Sequence, residues 1–385
     1  MKRKRTLLLV GVGDLGYGML RSLLRRSEIE RIIAADKDVE RAESRVNTAL
    51  LSAIQDGYSP DVEFARINLL DVEATAERMK EIAPEMIFAS PTLMSWTVYS
   101  GFGRQPEEFV TKLQQTRPGG WLPMHLSLVM KLMQAVKKSG LKVGRDLHVV
   151  TSPYPDAVNV VLGKMGMAPT TGVGNIAEMI PQVRLLVSRR LHVPLSNTRV
   201  YAVAHHSVGW AACGFGNLAQ IPFLLRILVG DKVIPQNVLD PREILAATFP
   251  TAQGTESHPL TVTVSMPVVM SIWNDTGEIC HAPGPDGLPG GYPVRGTAEG
   301  VEVFLPEGVT MEEAKRINEE AGKADGIERI SEDGTVFMTE EVVRGMRDAI
   351  GYDAKPIRPG EVDERAREIG AAYKRTLSEK YGYEE

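Results

Sequence analysis

The chain has 385 residues, 43% hydrophobic, 24% charged and only 6% aromatic, enough for two or three domains with a sizeable core, which excludes disordered, fibrous and miniprotein classes. Forty-four basic against 49 acidic residues give a formal charge of −5, so the chain as a whole carries no electrostatic footprint for nucleic acid. Its two cysteines, Cys213 and Cys280, form no CxxC pair and no disulfide framework, which fits a reducing compartment and argues against a structural metal site.

The basic start, Lys2 to Arg5, reads as a solvated N-terminus. The apolar Leu7 to Val12 after it mimics an export signal, but Asp14 interrupts it, and no run approaches eighteen uninterrupted apolar residues. The expectation is a cytoplasmic protein with no membrane partner. Thr6 to Val10 is a predicted strand, followed by Gly11-Val-Gly13-Asp14-Leu15-Gly16 and a helical pattern at Met19, Leu20, Leu23 and Leu24. A second apolar run, Ile32 to Ala35, ends in Asp36, twenty residues after the last glycine. This is the arrangement that binds a dinucleotide. Gly11 permits the tight turn, Gly13 admits a pyrophosphate to the backbone, and Gly16 lets helix and strand pack closely, while the helix N-terminus offers unpaired N–H groups. Asp36 would accept hydrogen bonds from the adenosine ribose and repel a 2′-phosphate, which favours NAD over NADP. Lys37 beside it softens that preference.

Alternation continues with a helix over Val39 to Leu51, a strand at Val62 to Ile67, a helix over Val72 to Ile82 and a buried strand at Glu85 to Ala89. Such alternation predicts an α/β fold with a doubly wound parallel sheet. Ser90 and Pro91 leave the carboxyl end of that last strand, where ligands bind, and join the cofactor-binding set. From Ser90 to Gly120 glycines, prolines and aromatics are scattered without period, so this segment is a candidate lid or a surface insertion with its own small cluster. A helix over His125 to Lys138 and a strand at Leu147 to Thr151 complete a nucleotide-binding domain over residues 1–152.

The second half begins with Val150-Thr-Ser-Pro-Tyr-Pro-Asp156-Ala-Val-Asn159. Then come Gly172-Val-Gly-Asn175-Ile-Ala-Glu178, a helix through Arg184 and Leu191, and the apolar strand Val200 to Ala204 running into His205 and His206. Further on, Tyr292-Pro-Val-Arg-Gly-Thr-Ala-Glu-Gly300-Val-Glu-Val-Phe-Leu305 precedes a helix with a Thr310/Glu313 capping box. In order and spacing these segments resemble the lactate/malate dehydrogenase superfamily over roughly residues 6–325. The resemblance implies an α+β catalytic domain after the nucleotide domain, over residues 153–330, NAD as cofactor, a homodimer or homotetramer, and hydride exchange with a small-molecule alcohol or carbonyl substrate. Ser152 stands where that family has its nicotinamide-side asparagine, with one extra residue in the segment, and His206 takes the position of its acid/base histidine. Histidine suits that role because its ordinary pKa near 6.5 lets it hold either state around neutrality.

Departures from the family pattern bear on substrate. Met179 and Gln182 occupy the positions of the histidine-orienting aspartate and the carboxylate-binding arginine, and Leu122 that of the lid arginine, so the carboxylate clamp is absent and a standard 2-hydroxy acid is disfavoured. Glu178 is expected to orient His206 instead, with Gln182 one turn below it. Arg184, Arg104 and Arg117 are candidate anion partners. Asn175, His125, His258 with Ser257, and His205 are candidate substrate residues, although His205 would face away from His206 in an extended strand. Asp156 reads as a local turn residue, and Trp96, Trp121 and Trp210 as core. Three alternatives stay open. The Ala204-His205-His206-Ser-Val-Gly-Trp210 stretch is similar to related NAD-dependent family 4 glycosidases, but their Cys-His metal pair is missing around Gly174-Asn175-Ile176, so no metal is expected. Asp36 to Ala89 resembles the saccharopine-type dehydrogenases, and a non-catalytic NAD-binding sensor is the third. Residues 331–385 read as an extension with helices at Thr339 to Ile350 and Pro359 to Tyr381.

Overall fold

The computed structural model describes residues 3–102, 105–247 and 249–382, apart from the side chain of Phe215. Its first half is built on six parallel strands: β1 (Thr6–Val10), β2 (Arg31–Asp36), β3 (Val62–Arg66), β4 (Met86–Ala89), β5 (His148–Thr151) and β6 (Thr171–Gly172). They lie in the order β3-β2-β1-β4-β5-β6. Every pairing is parallel, and Val10 stands opposite both Ala35 and Ala89. All five residues of β1 are buried, as a central strand covered by helices on both faces requires. The reversal of strand order beside β1 opens a crevice at the carboxyl ends of β1 and β4, where such sheets take ligands.

The crossover helices are Asp14–Leu23, Val39–Gln55, Val72–Ile82, Leu122–Ser139 and Pro155–Lys164. Asp38 and Asp71 start the second and third by accepting from the N–H groups of Arg41 and Ala74. Two of these helices are longer than the apolar pattern predicts. The helix beginning at Val39 runs on to Gln55, adding the buried Ala53 beside the exposed Ile54 and Gln55, and the helix expected from His125 begins three residues earlier, with Pro123 in its first turn.

The second half has two antiparallel three-stranded sheets. One comprises β7 (Thr198–Val203), β8 (Leu224–Val229) and β9 (Lys232–Val233); the other β10 (Ile279–Pro283), β11 (Gly291–Thr297) and β12 (Gly300–Val303). The β11–β12 pair is the expected closing hairpin, and Thr310 Oγ1 accepts from Glu313 N–H at the start of the next helix. The helix His258–Asn274 packs on the first helix of the chain, and Trp273 donates its indole N–H to the Glu28 carbonyl, so one apolar core runs across both halves. β7 stops at Val203, so His206 lies not on a strand but at the start of a short helix, His206–Trp210.

A small hairpin, β13 (Ile327–Ile330) with β14 (Val336–Met338), leads into helices Glu340–Ile350 and Val362–Tyr381. These last helices turn back onto the first half. Val342, Met346 and Tyr373 share a core with Tyr99, Phe109, Leu113 and Trp121, all fully or almost fully buried. The segment after β4 is thereby tied down. Its first part, from Ser90 to Leu93 and at Ser95, Trp96, Tyr99 and Phe102, lines the cleft, but it also contains the helix Glu107–Gln114, whose Phe109 and Leu113 have no exposed surface. A lid that moves as a whole would have to extract those side chains, each worth about 1.5–3 kcal/mol of burial. Gly103 and Arg104 lie outside the described residues. Among the described residues no helix is long and apolar enough to cross a membrane.

Candidate active site

A cleft of about 1190 Å³ runs from the carboxyl end of β2, over the glycine turn, to the helix His206–Trp210. At the first end the turn leaves no room for a side chain at Gly11 or Gly16. Gly11 has φ +92°, and a Cβ there would lie 3.2 Å from Pro91 N, while a Cβ on Gly16 would lie 1.8 Å from the Gly11 carbonyl oxygen. At Gly13 the Cβ position has no neighbour within 4 Å, and Gly13, Asp14 and Leu15 line the cleft. The helix Asp14–Leu23 starts there with no side-chain cap, so its first N–H groups are left for a ligand. Asp36 is held at the end of β2 with Oδ2 accepting from Val12 N–H at 2.8 Å and Oδ1 from Asp38 N–H at 3.0 Å. Asp36 and Lys37 line the cleft there, and each carboxylate oxygen retains the capacity to accept a further hydrogen bond. Ser90, Pro91 and Ser152 line its middle. The bare helix start, the empty space at Gly13 and the fixed carboxylate fit a dinucleotide with a free ribose diol.

At the other end His206 lines the cleft with about a fifth of its side chain exposed. Its Nδ1 lies 2.6 Å from Asp325 Oδ2, and Asp325 has no exposed surface. The same Oδ2 accepts from the Tyr154 hydroxyl at 3.0 Å. With Nδ1 engaged, Nε2 is the nitrogen available to the cleft. The backbone is held as well: Asp156 Oδ1 accepts from His206 N–H at 2.8 Å, and its Oδ2 accepts from the Asn175 amide. Burial by itself would push the His206 pKa down. The Asp325 charge and hydrogen bond, helped by Asp156 and Glu178, outweigh burial and raise it to about 9. The converse holds at Asp325, where burial acts upward but the His206 charge wins and keeps the carboxylate ionised.

The carboxylate that orients His206 is therefore Asp325 and not Glu178. Glu178 stays on the cleft wall, but its Oε1 accepts from the Thr261 hydroxyl at 2.6 Å, and burial pushes its pKa up. Helical spacing carries the expected Glu178 contact only along its own helix, Ile176–Leu191, whereas Asp325 arrives from the turn between Met311–Gly322 and β13. Three other expectations are corrected. His205 is buried away from the cleft, where its Nδ1 accepts from Ser207 N–H and caps the short helix. Arg184 donates to the carbonyls of Thr198 and Leu195, tying its helix to the start of β7 rather than facing substrate. Arg117 pairs with Glu341 in the C-terminal extension.

Gln182, Asn175, His125 and His258 do line the cleft. His125 Nε2 lies 3.0 Å from the Tyr99 hydroxyl and its Nδ1 3.2 Å from Thr92 Oγ1. Burial, with the His206 charge, lowers its pKa to about 4, so it is neutral near pH 7. His258 Nε2 accepts from the Trp96 indole N–H at 3.5 Å. Trp96 and Trp210 belong to the cleft wall, whereas Trp121 is core and stacks on Tyr99 at 5.3 Å. Asp325, Tyr154 and Asp156 are the residues that sequence reasoning missed or undervalued. The one available signal was the extra residue between β5 and the next helix: Tyr154 adopts φ +43°, a left-handed conformation rare for a bulky side chain. Among the described residues no group of three or more His, Cys, Asp or Glu side chains is placed to hold a metal ion.

No protein-family model and no curated protein sequence matches the chain. Solved structures do. A lactate dehydrogenase from Cryptosporidium parvum, complexed with lactic acid and nicotinamide adenine dinucleotide, superposes with a TM-score of 0.57 at 13% identity, over 84% of this chain and 97% of that one. A lactate dehydrogenase from Eimeria maxima with NADH and oxamate gives 0.57 at 11% identity over 84% and 92%. A malate dehydrogenase from Picrophilus torridus gives 0.54 at 17% over 84% and 98%. The chain has the fold of the lactate and malate dehydrogenases, a six-stranded parallel sheet followed by an α+β half.

Proposed function

We propose that the protein is an NAD-dependent oxidoreductase that interconverts a secondary alcohol and the corresponding carbonyl compound, with His206 as general acid/base. The observation that carries this reading is the His206–Asp325 pair at 2.6 Å, whose imidazole opens onto the same cleft as the glycine turn and Asp36. Gly13, Asp14, Leu15 and Gly16 would hold the pyrophosphate, Asp36 the adenosine ribose, and Ser90, Pro91 and Ser152 the nicotinamide side. When bound there, NAD would supply the two-electron acceptor that takes the hydride from the carbinol carbon. His206 takes the hydroxyl proton at Nε2 as the carbonyl forms, and returns it in the reverse direction. Asp325 fixes the ring's tautomer and stabilises the imidazolium. The carboxylate of Asp36 favours NAD over NADP, a preference softened by Lys37 beside it and by Arg41, whose guanidinium stands 4.0 Å from it.

The test is His206→Ala. Turnover of an alcohol substrate should fall about 10²- to 10⁴-fold, the range of a general acid/base, while the NAD dissociation constant measured by calorimetry stays within about threefold. Full turnover in that variant overturns the assignment of the base, and loss of NAD binding overturns the division of the cleft into two ends.

A further inference from the structure

Tyr154 stands where three imidazoles meet. Its ring lies 5.4 Å from that of His206, 6.3 Å from that of His125 and 6.4 Å from that of His205, edge to face with each. The residue takes this place against the preference of its backbone, since φ +43° and ψ +55° are left-handed values that a bulky side chain rarely adopts. Strain of this kind persists where surrounding contacts fix it. The contact here is a hydrogen bond, in which the phenol donates to Asp325 Oδ2 at 3.0 Å. Burial, with the charges of Asp325 and Asp156, pushes the Tyr154 hydroxyl well up, so it keeps its proton and remains a donor.

One carboxylate oxygen therefore serves two donors. His206 Nδ1 comes to 2.6 Å from Asp325 Oδ2 and the phenol to 3.0 Å, while Oδ1, also buried, meets no donor among the described residues. His205 Nδ1 lies 3.5 Å from Oδ2, but it accepts from Ser207 N–H and adds no third donor. With all donation gathered on one oxygen, whatever the phenol does to stabilise the carboxylate lessens the pull of that carboxylate on the imidazolium.

The other charged groups around His206 come from separate elements. Asp156 opens the helix Pro155–Lys164, Glu178 the helix Ile176–Leu191, and His125 lies on Leu122–Ser139. The Cys213 thiol follows on the segment after the short helix, and burial raises its pKa. Lys323, in the same turn as Asp325, is taken up by Glu320 and Glu328. The helix Met311–Gly322 meets the short helix through the Ala321 carbonyl, which accepts from Ser207 Oγ. Removal of the Tyr154 hydroxyl alters none of these groups.

Building on the oxidoreductase reading above, we propose that Tyr154 is a positioning residue of the acid/base pair: its hydroxyl shares Asp325 Oδ2 with His206, loosens the carboxylate's hold on the imidazolium, and so eases release of the proton that alcohol oxidation leaves there. Asp325 fixes the ring, and the phenol sets how tightly the charge on that ring is held.

Tyr154→Phe keeps the ring and removes only the hydroxyl. Ring-nitrogen NMR on the full chain without cofactor reads the protonation midpoint of His206 directly, with its signal assigned by its loss in His206→Ala. The midpoint should move up by about half to one pH unit in Tyr154→Phe. Below that midpoint the rate of alcohol oxidation should fall by the corresponding factor, about three- to tenfold, while its high-pH plateau changes by less than about twofold. In an Asp325→Asn background, adding Tyr154→Phe should leave the midpoint within about 0.2, because the shared carboxylate is gone. Placing 3-fluorotyrosine at position 154, a more acidic phenol of nearly the same shape, should move the midpoint down instead. A midpoint that stays or falls in Tyr154→Phe, or that moves equally with and without Asp325, overturns the proposal, and so does an upward move with 3-fluorotyrosine. The expected midpoints in a chain that reduces NAD with no secondary alcohol support the role of Tyr154 and overturn the oxidoreductase reading instead.

Discussion

The dinucleotide end of the cleft and the histidine end are built on opposite plans. At the first, Gly11 to Gly16 and Asp36 lie within one strand-helix-strand unit, and their contacts are mostly backbone: Asp36 on Val12 N–H, Gly16 against the Gly11 carbonyl. At the second, His206 depends on side chains gathered from two distant places, the turn at Tyr154 and Asp156 and the turn at Asp325. Its ring is held by Asp325, its N–H by Asp156, and Asp325 by Tyr154. A unit closed locally tolerates loss of remote contacts but not a change of its own backbone. A site assembled from remote carboxylates fails when any one of them is altered, because each remaining buried charge then lacks its partner.

Breaking the histidine end should give the largest effect on rate. Asp325→Asn should lower kcat about 10²-fold or more with NAD affinity unchanged, measured by steady-state kinetics and calorimetry. Its pH profile sharpens the point. Alcohol oxidation needs the neutral imidazole, so in the unmodified protein the rate should climb as pH rises toward about 9, where the imidazolium gives up its proton, and carbonyl reduction should fall over the same range. In Asp325→Asn the Asp325 attraction that opposed burial is gone, so the limb should move to lower pH. An unmoved limb would mean that Asp325 does not control this histidine.

The dinucleotide end should break through its backbone. Gly16→Ala places a Cβ 1.8 Å from the Gly11 carbonyl oxygen, backbone against backbone, and should cost about 2–3 kcal/mol in thermal or denaturant unfolding, with NAD affinity weakened at the same time. Asp36→Asn removes a charge but leaves an acceptor for Val12 N–H. NAD affinity should drop only about tenfold, and the preference over NADP should narrow, read from the two dissociation constants. The smallest effect is expected at Arg184. It serves two backbone carbonyls outside the cleft, so Arg184→Ala should change kcat/KM by less than about twofold while lowering stability by about 1 kcal/mol. A large kinetic loss there would mean that the substrate end extends beyond the described wall.

The sequence was most legible where structure is local. Thr6 to Val10, the glycine turn and Asp36 all stand where their spacing places them, and the crossover helices follow because apolar period and Asp caps are properties of contiguous residues. Register along a strand was less legible. β7 ends at Val203 rather than running through His206, because Asp156 takes the His206 N–H and His205 caps the turn that follows. The partner of His206 was not legible at all. Nothing around Asp325 marks it, since a lone aspartate after a helix reads as a turn residue.

By itself, then, the sequence determined the parallel sheet, its glycine turn and the presence of an imidazole pair at the end of β7, since each depends on neighbours a few residues apart. The tertiary structure alone decided which carboxylate holds His206, that His205 and Arg184 face away from the cleft, and that the C-terminal helices pin the segment after β4. The physical reason is separation along the chain. His206 and Asp325 are 119 residues apart and come together only when the closing hairpin and its following helix fold back over the sheet. A long-range pair of this kind leaves no periodicity to read, because its geometry exists only after the apolar core has formed.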